Sequence, residues 1–342
     1  MRFRPVLAVL CAALAAAPLP ALAWGAQGHR LVNGAAMRAL PATVPPFLRT
    51  QSAHDEVALL GPEADRVKGA GAPLDGDDDP AHYLDAQDDA TVAEVVKLSA
   101  LPSDRHAYDV ALRAAATPTD EWGQGYLPYA IADGWERVAR DFAYWRVDAV
   151  GEKSAASAEE RAFFGFDRAV REAVTLRDIG YWGHFVGDGS QPLHVSVHFN
   201  GWNGAKYPNP RHYSDSRTIH ARFETDLVRA VAGEDFVLAR VGAPNPPNVP
   251  ILAEAGRYLT ASASFVPAVY ELEAAGGIDA RSPAASALVL DRLAAGASEM
   301  RDLILAAWQA SADAKVGYPG VAVRDIESGT VVPSRARVGL GD

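Results

Sequence analysis

Cysteine is almost absent from this chain of 342 residues: the only one, Cys11, lies near the start. A disulfide within the chain is therefore excluded, and stability has to come from packing or from bound metal. Basic residues are in deficit as well, 32 against 43 acidic. That balance argues against non-specific attachment to nucleic acid or anionic lipid through a basic surface. It does not argue against a charged substrate, because bound cations supply positive charge that a residue count omits. Strand-like alternation is scarce, and beyond the first two dozen residues no apolar run approaches membrane-spanning length.

The one apolar run has the layout of a secretory signal. Arg2 and Arg4 open it, Val6 to Leu19 form its apolar stretch, and Ala21-Leu22-Ala23 supplies a small-residue cleavage motif. Residues 1–23 are thus expected to be removed, leaving Trp24 as the first residue of a secreted or periplasmic protein with no transmembrane anchor.

Helical periodicity dominates the remainder, as in Leu31 to Leu40, Glu136 to Tyr144, Ala162 to Val174, Arg222 to Val231 and Ala285 to Ala312. Loops rich in Gly, Pro and Asp separate these stretches: Gly69 to Pro80, Pro118 to Gly125, Phe199 to Ser216 and Gly242 to Pro250. No internal repeat and no dividing linker interrupts them, so the chain reads as one all-α domain over residues 24–315. Residues 316–342 lack helical spacing and are expected to form a loosely packed tail or a short hairpin.

Chemistry concentrates in three places. In His184-Phe-Val-Gly-Asp188-Gly-Ser-Gln-Pro-Leu-His194, the first histidine and the aspartate stand four apart, on one face of a helix, where both can meet one metal. Pro192 ends that helix and lets His194 approach from another direction. His220-Ala-Arg-Phe-Glu224 repeats the histidine and carboxylate at a spacing of four, and Trp24-Gly-Ala-Gln-Gly-His29 places a histidine five residues after the expected new terminus. A free terminal amine is itself a zinc ligand once deprotonated, with the adjacent carbonyl able to close a chelate. The other histidines, His54, His106, His198 and His212, are expected at surface or loop positions.

The set Trp24, His29, His184, Asp188, His194, His220 and Glu224 resembles the zinc site of the zinc-dependent phospholipase C and single-strand-specific nuclease superfamily. Glu-Ala-Asp65-Arg-Val-Lys68 and His82-Tyr-Leu-Asp85 fit the places of two further ligands, and the latter resembles the nuclease branch. The resemblance spans Trp24 to Glu224. It implies an all-helical exported hydrolase with three zinc ions. One would be held by Asp65, His82, His184 and Asp188, a second by His194, His220 and Glu224, and a third by Trp24, His29 and bridging Asp188. Asp65 would orient the attacking water or accept its proton, and Lys68 would stand near the scissile phosphate, where nucleases often carry arginine.

Two substrate classes follow from that resemblance. One is single-stranded nucleic acid or nucleotides, cut by an endonuclease with or without 3'-nucleotidase activity. The other is a phospholipid head group of the phosphatidylcholine type. Glu224 is the carboxylate seen in the phospholipases, and Ser190 and Phe199-Asn-Gly-Trp-Asn-Gly depart from the nuclease pattern. A third reading, from a different class, is a non-catalytic secreted protein stabilised by metal. No protein partner is implied.

Overall fold

The computed structural model describes residues 24–339. The expected signal and its cleavage point fall outside them.

The chain is mainly helical, as its periodicity implies. Eight helices carry the architecture: α1 (Ala26–Arg38), α2 (Gln51–Leu60), α3 (Arg105–Arg113), α4 (Leu127–Ser154), α5 (Ala158–Ser190), α6 (Ile251–Ala263), α7 (Val266–Ala274) and α8 (Pro283–Ser311). The described strands form two hairpins of two residues per strand, Thr91–Val92 with Val96–Lys97 and Lys315–Val316 with Val321–Ala322.

Local chemistry sets the helix ends. Pro128 sits in the first turn of α4, where a missing N–H costs nothing. Ser157 caps α5 by accepting from the Glu160 amide, with Glu159 and Glu160 in the first turn complementing the helix dipole. At the other end α5 stops at Ser190 because Pro192 cannot continue it; Gln191 turns extended and its side chain caps a 3-10 turn over Pro192–Val195 by accepting from the Leu193 amide.

Helices α4 and α5 form a long hairpin; α8 packs across both of its arms and α1 against the α5 arm. One buried amide pins three helices: Asn33 on α1 donates to Val57 O on α2 and Gly180 O on α5, both at 3.0 Å. Glycine on α5 permits that approach, since a Cβ on Gly183 would come within 2.4 Å of Asn33 Oδ1. The resulting core runs from Trp24 through α8, which is buried almost continuously from Leu293 to Ala307.

Two expectations are sharpened. Of the loose tail or short hairpin expected for the C-terminal segment, the hairpin is the one present, and residues 316–339 pack through it. The hairpin at Lys315–Ala322 leads into a helix over Val323–Glu327, and Val316, Val323, Ile326 and Val338 bury themselves against Val147 on α4 and Phe164 on α5. The turns between these residues break their periodicity, so the apolar face was hidden in sequence. The expected loops 69–80 and 118–125 also contain short helices, Leu74–Asp78 and Glu121–Gln124, the second capped by Asp120.

Candidate metal centre

Six separate pieces of chain deliver the predicted ligands to one place. His29 comes from the first turns of α1, and His184 and Asp188 from the last turns of α5. His194 comes from the 3-10 turn after Pro192, Asp65 from a 3-10 turn over Ala64–Val67, and His82 from another over Asp79–His82. His220 lies in the helical turn Ile219–Ala221, which widens into a π-helical turn over Arg222–Leu227 carrying Glu224. Such widened turns recur at functional sites because they re-aim a side chain.

Three groups of these residues could each hold a metal ion: His29, Asp65 and His184; His82, His184 and Asp188; and His194, His220 and Glu224. His184 Nε2 lies 3.4 Å from Asp188 Oδ2 and 3.6 Å from Asp65 Oδ1, and His82 Nε2 lies 3.7 Å from the same Asp65 oxygen. His29 Nε2 stands 3.5 Å from Asp188 Oδ1, and His194 Nε2 stands 3.6 Å from Glu224 Oε2. These gaps are too long for good hydrogen bonds. They match the separation of about 3.3 Å between donors around one tetrahedral ion with bonds near 2.0–2.1 Å. The third group is tighter, with His220 Nε2 at 2.8 Å from Glu224 Oε2 and 3.1 Å from His194 Nε2.

The ring nitrogens are sorted. His184 Nδ1 donates to Gly61 O at 2.8 Å, His194 Nδ1 to His82 O at 2.7 Å and His220 Nδ1 to Phe199 O at 2.8 Å. Each bond fixes the proton on Nδ1 and turns the Nε2 lone pair inward, the arrangement that metal-ligating histidines use. His82 follows the same rule, with Nδ1 3.1 Å from Asp78 O and Asp79 O. What remains inside is a set of buried polar atoms without a hydrogen-bond partner: His82 and His184 Nε2, both His29 ring nitrogens, both Asp188 oxygens and Glu224 Oε1. Buried polar atoms are almost always satisfied, so this concentration fits a cation coordinated among them.

Electrostatics agree. Burial, aided by the neighbouring imidazoles, holds His29 and His82 well below the usual histidine range, and burial drives His184 down to about 3. Neutral imidazoles are the form that binds metal. Burial also pushes Asp188 well above the ordinary carboxylate range, with Asp65 adding to the repulsion. At the Glu224 end burial opposes charge on both partners, yet their mutual attraction raises His220 and lowers Glu224.

All eight side-chain ligands expected from the sequence converge, with one regrouping: Asp65 lies beside His29 and His184 as well as His82. The Trp24 indole donates to Ser190 Oγ at 2.8 Å and tilts against Phe223 at 5.7 Å, next to Glu224, so this residue adjoins the centre. Its expected part as an amine ligand would need cleavage after Ala23, a point outside the described residues. Lys68 is nearly buried and rests on Asp65 Oδ1 at 2.8 Å, where the carboxylate outweighs the burial that would otherwise lower its ammonium pKa.

Some residues escaped the sequence reading. Gln191 Nε2 reaches His220 Nε2 at 3.2 Å and Glu224 Oε2 at 3.3 Å, contacts that its place beside Pro192 does not signal. Burial pushes Asp85 up to about 7, against the pull of Lys206. His198, expected at a surface or loop position, lies in a turn but is buried: its ring stacks on Trp202 at 3.6 Å and accepts from the Asn203 amide at 3.2 Å. Trp202 folds back over it, a contact no local spacing reveals.

Neither a family model nor a curated protein sequence matches the chain.

Proposed function

We propose that this chain is an exported zinc-dependent phosphoesterase, and that it acts as a single-strand-preferring nuclease. The observation that carries the reading is the inward-facing set of unsatisfied ligand atoms on His29, His82, His184, Asp188 and Glu224. Zinc suits a donor set so rich in imidazole, and three ions would use the residues grouped above. When bound, zinc lowers the pKa of water toward neutrality and stabilises charge on phosphoryl oxygens.

The protein's own groups then have definite tasks. The backbone carbonyls of Gly61, His82 and Phe199 hold the histidine rings in one tautomer, so the donors stay aimed. Asp65, whose side chain keeps some exposure at 13%, is the carboxylate placed to orient a water or take its proton. Lys68 would balance the charge of an arriving phosphate, as a point charge without an arginine's fork.

Glu224 in the second group favours phospholipase C as the alternative reading. The test is to purify the chain cleaved after Ala23 and compare its hydrolysis of single-stranded DNA and RNA with that of phosphatidylcholine. Faster turnover of the nucleic acids is expected. Preference for the lipid selects the alternative, and inertness towards all three contradicts both.

A further inference from the structure

Gln191 stands just past the end of α5, beside the candidate ligands but not among them. It is fully buried, and its polar groups all engage segments that carry those ligands. The backbone N–H donates to Asp188 O at 3.0 Å, the backbone carbonyl accepts from the His194 amide at 3.0 Å, and side-chain Oε1 accepts from the Leu193 amide at 2.6 Å. That last bond decides which way the side-chain amide points, because a flipped amide would set its NH2 against a backbone N–H. Nε2 is therefore the atom that faces His220 Nε2 at 3.2 Å and Glu224 Oε2 at 3.3 Å.

The two contacts differ in kind. His220 Nδ1 is committed to Phe199 O, so His220 Nε2 carries the lone pair offered to a metal. His194 is sorted the same way by His82 O. Among the described residues, Gln191 is then the one hydrogen-bond donor to Glu224 that is not itself a candidate ligand. Glu224 needs such a partner. It sits on the widened turn over Arg222–Leu227, is 1% exposed, and has no hydrogen bond at Oε1, so neither its own helix nor bulk water fixes the rotation of its carboxylate.

We infer that Gln191 is the positioning residue of the group His194, His220 and Glu224. Its amide holds Glu224 Oε2 beside the two imidazole nitrogens, and its Oε1 ties the same side chain to the turn that carries His194. Groups that orient metal ligands in this way contribute strongly to affinity without touching the ion. The inference rests on the zinc reading of the site and is independent of which phosphate ester is cut.

The test compares two variants with the wild-type protein cleaved after Ala23. Gln191→Glu keeps the shape and an oxygen for the Leu193 amide but loses the donor; Gln191→Met keeps the volume and loses both. Zinc affinity is read by competition with a chromogenic chelator, and the visible spectrum of the cobalt-loaded protein reports ligand geometry. In both variants one ion of the three should bind about ten- to a hundredfold more weakly, with the other two unchanged and the cobalt spectrum altered. Wild-type affinity and spectrum in Gln191→Glu, with loss only in Gln191→Met, would reduce the residue to a cap on the turn and overturn the inference. Tighter zinc binding by Gln191→Glu would overturn it too, since Glu224 would then need no donor there. Equal weakening of all three ions would mark a general loosening and contradict the specific role. Wild-type protein that binds no zinc sinks the zinc reading and the inference with it, whereas three ions in the wild type and in both unaffected variants sink the inference alone.

Discussion

Two regions of this protein bury carboxylates without enough hydrogen bonds, and their surroundings differ. At the candidate metal centre, Asp188 is fully buried with both oxygens unpartnered, and its neighbours are imidazoles whose lone pairs point the same way. In the seam between α4 and α5, Asp148 is equally buried with both oxygens unpartnered, but its neighbours are the Asp167 carboxyl and the guanidiniums of Arg168 and Arg171. Burial and Asp167 together push Asp148 up to about 8, so a proton satisfies it at neutral pH. Lone pairs converging from neutral nitrogens call for a cation, whereas a carboxyl pair beside arginines calls for a proton. Buried acidity alone does not mark a metal site; the donors around it do.

The largest effect that can break this contrast is at Asp188. Replacing it with alanine should cut zinc content by at least one ion per chain and lower phosphodiester hydrolysis by about a thousandfold or more, as loss of a shared ligand in a catalytic centre does. Metal analysis with steady-state kinetics checks it, and retention of full zinc would remove Asp188 from the centre.

Chelation comes next. Stripping the ions leaves buried carboxylates and imidazoles uncompensated, so Tm should fall by on the order of 10 °C and recover on adding zinc. A scan that is unchanged by chelator would mean that these atoms are satisfied by other means.

The smallest effect is at Asp148. Its folded pKa stands above its unfolded value, so the stability linked to its proton is complete below about pH 4 and is lost as pH rises through about 8. Asp148→Asn should therefore raise Tm by on the order of 3 °C at pH 8.5 and leave it nearly unchanged near pH 4. Loss of zinc in this variant would erase the distinction between the two regions.

Much of the candidate centre was legible in the sequence because its candidate ligands come in local patterns. His184 with Asp188 and His220 with Glu224 are spaced by one helical turn, and Pro192 announces the turn that carries His194. What stayed hidden depends on how loops and turns fold, which no helical or strand spacing records. Gln191 touches Glu224 across 33 positions, and Trp202 covers His198 by a fold of the loop rather than by a repeat. The packing of Val316, Val323, Ile326 and Val338 was masked by a hairpin that breaks their period. Asp148 and Asp167 face each other across the α4–α5 turn, where neither residue's own spacing suggests a pair.

The most direct test is to count zinc in the protein cleaved after Ala23 and in a variant keeping one extra residue before Trp24. Three ions per chain are predicted for the cleaved form, and fewer, with reduced activity, for the extended one. Fewer than two ions in the cleaved form would contradict the metal centre, and equal zinc and activity in both forms would remove the Trp24 amine from it.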